Sequence, residues 1–136
     1  MKQIFLLIST ILLFSCNKDT EYIPNVSVNI NIYLSDPQWF NLYTAGGYEY
    51  VTGGSQGIFI YRLNQDEFVA YDRHCPFNVE QNCKVEMDTM TYITLHDNCC
   101  DNNYNLQAGN VISGSGNLPL KRYNTTFDGN LLTIRN

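Results

Sequence analysis

The side chains able to do chemistry gather in two short stretches: His74-Cys75 followed by Cys83, and His96 followed by Cys99-Cys100. Two thiols with two imidazoles are a donor set for a soft or borderline metal. The same four cysteines are equally a disulfide set, with three possible pairings. A fifth cysteine, Cys16, stands apart near the N terminus. Other constellations are thin. Gly114-Ser115-Gly116 reads as a turn without a well-placed His, and His96-Asp97 against Cys99 is only a loose nucleophile set, so no hydrolase is expected. Gly46-Gly47 and Gly53-Gly54 lack the Lys and the helix of a phosphate loop. The carboxylates are scattered, and Lys121-Arg122 reads as a solvated strand end. No enzymatic activity follows from these residues.

The N terminus reads as an address. Met1-Lys2-Gln3 supplies a positive start, and residues 4–14 are apolar except for Ser9-Thr10. That run is too short to span a bilayer, but it suits the core of a signal peptide. Leu13-Phe14-Ser15-Cys16 resembles a bacterial lipobox. The resemblance implies cleavage before Cys16, a diacylglyceryl group on its sulfur and acylation of the new amino group. Each buried CH₂ of such chains adds about 0.8 kcal/mol of membrane attachment. Lys18-Asp19-Thr20-Glu21 is similar to the export signals of Bacteroidota surface lipoproteins. The expected organisation is a signal peptide at 1–15, a lipidated tether at 16–25 and one domain at 26–136. The expected location is the cell envelope, lipid-anchored in the outer membrane and facing the periplasm or the surface, where disulfides persist.

Composition sets further bounds. Removing 15 of 136 residues leaves roughly 121, the size of one ordinary domain with a self-sufficient core. Charged residues are 15% and aromatics 13%, which excludes a disordered chain. A net charge of −5 excludes the basic stripe of a nucleic-acid binder.

The elements that must position the thiols read as strands. Val26, Val28, Ile30, Ile32 and Leu34 alternate with polar residues, so 26–34 is a half-buried strand. Asp36-Pro37 breaks it, and 38–45 reads as a loop carrying Trp39 and Phe40 inward. Strands are expected at 48–52, 58–63 and 68–71, the last two joined by the polar turn Asn64-Gln65-Asp66-Glu67. Residues 73–88 show no period. Further short strands are expected at 91–95, 104–106, 111–112, 120–127 and 131–134. No segment sustains a helical period, and many short strands mean an all-β sandwich or small barrel.

Residues 57–134 resemble the Rieske iron–sulfur domain. Gly57-Ile58-Phe59-Ile60-Tyr61-Arg62, then Glu67-Phe68-Val69-Ala70-Tyr71-Asp72-Arg73-x-Cys75-Pro76, is similar to that family's strand pair entering its first cluster loop. Cys100-x-x-x-Tyr104-x-Leu106-x-x-Gly109-x-Val111-x-x-Gly114, with Pro119-Leu120-Lys121-x-Tyr123, resembles the second loop and its exit strands. Asp128-Gly129-Asn130-Leu131-Leu132 matches the closing hairpin. The resemblance implies a small Rieske-like fold of short antiparallel strands.

It also implies a ligand set that this chain departs from. A Rieske centre binds one iron through two Cys and the other through two His. The family presents them as Cys-x-His and Cys-x-x-His. Here Cys75-Pro76-Phe77 places Phe77 at the first His position. Asp97-Asn98-Cys99-Cys100 places Asp97 at the Cys position and Cys100 at the second His position. If a cluster were held, Cys75 and Cys100 with His74 and His96 would have to do it, by a rebuilt loop. The same residues are also the candidates for a mononuclear metal. Respiratory-type members carry a disulfide between the two loops, at places that correspond to Cys83 and Cys99. Cys75 and Cys100 then remain for a second bridge, and a vicinal Cys99–Cys100 ring is strained. The expectation is an envelope lipoprotein with a Rieske-like fold, no cofactor, and a structural or binding role toward an envelope protein or ligand. The alternative is a [2Fe–2S] electron-transfer protein with altered ligands.

Overall fold

The computed structural model describes residues 23–136. The expected signal peptide, Cys16 and most of the tether lie outside the described residues. Among the described residues, ten strands form two sheets in which all paired strands are antiparallel. The six-stranded sheet runs β1 (Asn29–Tyr33), β10 (Leu131–Arg135), β9 (Arg122–Phe127), β4 (Phe68–Asp72), β3 (Ile58–Arg62), β2 (Tyr48–Val51). The four-stranded sheet runs β5 (Val85–Met87), β6 (Thr94–Asp97), β7 (Asn102–Asn105), β8 (Val111–Ser113). Among the described residues, no helix is long and apolar enough to cross a membrane.

The two central strands explain the architecture. Ile58-Phe59-Ile60 and Phe68-Val69-Ala70-Tyr71 are buried without alternation. Strands read this way when both faces are covered. Ile58, Ile60, Phe68 and Ala70 face one core, shared with Ile32, Leu132 and Ile134. Phe59, Val69 and Tyr71 face a second core against the small sheet, with Val85, Leu95 and Tyr104. The hairpin is therefore the wall between two hydrophobic layers. Its far end carries the chain into the cysteine loops.

The period-two reading of the first strand holds for Val28, Ile32 and Leu34, which are buried, and Ile30 packs against the same core. Val26 is exposed, because the ladder to β10 begins only at Asn29. Three other expectations need correction. Residues 38–45 are not a plain loop: 3-10 turns cover Pro37–Leu42, with Asp36 accepting the Gln38 N–H. In a helix of three residues per turn, Trp39 and Leu42 share a side. Leu42 is fully buried, Trp39 packs partly on the core, and Phe40 is turned out to 70% exposure rather than inward. The strand expected at 91–95 begins instead at Thr94. Residues 88–93 form a turn built on Asp88, whose carboxylate accepts the Met90 N–H and the Thr91 hydroxyl. Finally, 73–88 holds β5, three residues too few to show a period.

Candidate functional site

Two loops meet above the second core: residues 73–84 between β4 and β5, and 98–101 between β6 and β7. The first is anchored by Asp72, the last residue of β4 and fully buried. Its carboxylate accepts the backbone N–H groups of Ser55 (2.7 Å), Gln56 (3.2 Å) and His74 (2.9 Å), and the Tyr123 hydroxyl (2.7 Å). Gly54 sits against this knot at φ +58°, where a Cβ would lie 2.4 Å from both Asp72 Oδ2 and the Tyr123 hydroxyl. Only glycine gives the loop that approach. The first loop then closes on itself through the Cys75 N–H to the Cys83 carbonyl (2.9 Å) and the His74–Lys84 bridge.

Cys83 and Cys99 are joined by a disulfide across the two loops, with their Cα atoms 6.2 Å apart. The second bridge expected, Cys75–Cys100, is absent: both are free thiols. Cys75 is fully buried and points at Asp97, donating to Oδ2 at 2.8 Å. Its sulfur accepts from the Tyr104 hydroxyl and the Phe77 N–H, each at 3.4 Å. Asp97 is held in turn by the Cys99 N–H (2.9 Å) and by Asn102 (3.3 Å). Cys100 is half-exposed, beside the Asn78 amide. Cys75 thus has a carboxylate as its partner, and the loop turns Cys100 toward the surface.

Burial, and then the Asp97 hydrogen bond that favours the S–H form, push the Cys75 thiol up from near 9 to about 11. Burial likewise pushes the Tyr104 hydroxyl well up, reinforced by its bond to Cys75. The thiol is protonated and inert at neutral pH. Brief alkylation of the native protein, read by peptide mass spectrometry, is therefore expected to label Cys100 and spare Cys75, Cys83 and Cys99. The folded thiol binds its proton more tightly than the unfolded one. Its contribution to stability is accordingly complete below about pH 9 and lost as pH rises toward about 11.

Neither histidine faces the thiols. His74 is buried, with Nε2 2.8 Å from the Val79 carbonyl and Nδ1 2.8 Å from the Ser55 hydroxyl. A carbonyl only accepts, so Nε2 carries a proton toward Val79. His96 lies between Leu95 and Asp97 on β6, which turns it to the opposite face. There it meets Asn103 at 3.0 Å and Asp101 at 3.6 Å. Phe77, at the first His position, packs against the second core. The residues present do not fit a [2Fe–2S] cluster of two Cys and two His: one thiol is spent on a carboxylate, and both imidazoles are bonded elsewhere. Asp72, Asn102 and the Tyr104–Cys75 contact escape a reading of the sequence. Only the inward alternation of Asn102, Tyr104 and Leu106 hints at them.

No protein-family model matches the chain, and no curated protein matches it. Among solved structures, the chain is similar to the ferredoxin of carbazole 1,9a-dioxygenase from Nocardioides aromaticivorans IC177. The TM-score is 0.51 and the identity 13%, over 79% of this chain and 95% of that one. At that identity the likeness shows the fold: nearly all-β, with curled antiparallel sheets, of the Rieske-like ferredoxin type.

Proposed function

We propose that this chain is a lipid-anchored protein of the cell envelope, in which a Rieske-like fold works as a structural or binding module without an iron–sulfur centre. The observation that carries this reading is the Cys75–Asp97 hydrogen bond, formed between the two positions at which the resemblance to the Rieske domain implies cysteine ligands. Phe77 fills the adjacent position with an apolar ring, and a cross-loop disulfide holds the loops together. The lipobox-like Leu13-Phe14-Ser15-Cys16 supports attachment to a membrane through Cys16. The partner is an envelope protein or ligand, and the net charge of −5 argues against nucleic acid. The module has no enzymatic role in this reading. A second reading, electron transfer through a [2Fe–2S] cluster with altered ligands, draws on the likeness to a ferredoxin.

Fractionation of bacterial cells expressing the full chain tests the anchor. The protein is expected in the membrane fraction, released by detergent and not by high salt. Cys16→Ala is expected to leave it unlipidated and lost from that fraction. Equal membrane retention of the variant would contradict the lipid anchor.

A further inference from the structure

Three metal-ligating side chains converge where the two loops meet. The sulfurs of Cys83 and Cys99 and a carboxylate oxygen of Asp97 all lie within 4.8 Å of one another. A tetrahedral zinc-like ion, bound at about 2.3 Å to sulfur and about 2.0–2.2 Å to oxygen, holds its ligands roughly 3.3–3.8 Å apart. While the sulfurs are bonded to each other neither is a thiolate, and only after that bond is cut can they part to the spacing of two ligands on one ion. We propose that reduction of the Cys83–Cys99 disulfide turns this place into a site for one thiophilic divalent cation, ligated by Cys83, Cys99 and Asp97.

The chemistry balances with a dithiol as reductant. It gives two electrons and two protons to the bridge and becomes a disulfide itself. The Cys83 and Cys99 thiols then lose both protons as their sulfurs bind the ion. Two thiolates and one carboxylate bring three negative charges to a dication. Non-covalent contacts keep the ligands in place once the bridge is cut. Cys83 stays tied through its carbonyl to the Cys75 N–H, and Cys99 through its N–H to Asp97 Oδ1. Cys75 and Asn102 donate to Asp97 Oδ2 and orient the carboxylate. Cys99 is exposed, which opens the bridge to the reductant and the remaining coordination position to water. Two sulfurs select zinc or cadmium over magnesium or calcium.

The full chain, reduced with a dithiol and desalted without oxygen, is titrated with Zn²⁺ against a chromophoric chelator, beside the oxidised protein. The reduced form is expected to bind one equivalent and the oxidised form none. Zn²⁺ should raise the Tm of the reduced form only, which shows that the folded protein holds the ion. Asp97→Asn is expected to weaken binding about tenfold or more. Cys83→Ser with Cys99→Ser should weaken it roughly 100-fold or more, while Cys100→Ser keeps one equivalent. Equal binding by oxidised and reduced protein overturns the proposal. So does its survival without Cys83 and Cys99, its loss without Cys100, or no binding by the reduced form. If the Cys83/Cys99 variant does not fold, the Tm response of the reduced wild type and the Asp97 variant decide.

Discussion

Replacing Asp72 with Ala is expected to lower the unfolding free energy by roughly 3–5 kcal/mol, the largest single-residue effect in this fold. The carboxylate accepts four hydrogen bonds: three from backbone N–H groups on two loops, and one from Tyr123 on β9. Deleting it leaves four donors without an acceptor, at about 1–3 kcal/mol for each that water cannot reach. Ser55 and Gln56 are half-buried and regain water in part, whereas His74 and Tyr123 are buried and do not. Urea denaturation is the measurement, with Tyr123→Phe as the single-bond control at about 1–2 kcal/mol. Against a typical total of about 5–15 kcal/mol, the Ala variant should be close to its threshold at growth temperature. A loss below about 1 kcal/mol would mean that the knot does not hold the first loop.

Cys83→Ser is expected to cost about 3 kcal/mol. The bridge closes a loop of 16 residues, and a loop of that length restricts the unfolded chain by about that amount. Urea midpoints of wild type and variant, each with and without reductant, check this. Reductant should destabilise the wild type to the level of the variant and leave the variant unchanged. Equal midpoints for oxidised and reduced wild type would show that the bridge adds nothing to the fold.

Local signals made the strands legible where they were strong. The β3–β4 hairpin combines apolar runs with a turn whose Asn64 side chain accepts the Asp66 N–H, and both features lie within a few residues of sequence. The same holds for β1, whose alternation needs only one covered face. Phe40 was misleading because hydrophobicity alone does not say which side of a 3-10 turn faces the core. The three-residue β5 is shorter than any period, and its existence depends on pairing with β6. The Rieske-like fold could be read from Gly57-Ile58-Phe59-Ile60-Tyr61-Arg62 and the Pro-Leu-Lys-x-Tyr exit, because the spacing of strand and turn residues carries the fold where identity is low. The candidate site could not be read in this way. Cys75 and Asp97 are 22 positions apart, and nothing local says that the thiol chooses the carboxylate over Cys100. The two histidines follow the same logic. Adjacency to cysteine makes His74 look like a ligand, but its direction is set by Ser55 and Val79, on other segments.

The proposal that this fold holds no iron–sulfur centre is tested most directly by spectroscopy of the purified protein. The full chain is produced in a host that assembles iron–sulfur clusters and is purified without oxygen. Visible absorption, iron and sulfide content, and the electron paramagnetic resonance of the dithionite-reduced sample are then measured. A colourless protein without stoichiometric iron or sulfide, silent in resonance, is the predicted result. Two irons and two sulfides per chain, with a [2Fe–2S] resonance on reduction, would contradict it and establish electron transfer as the function.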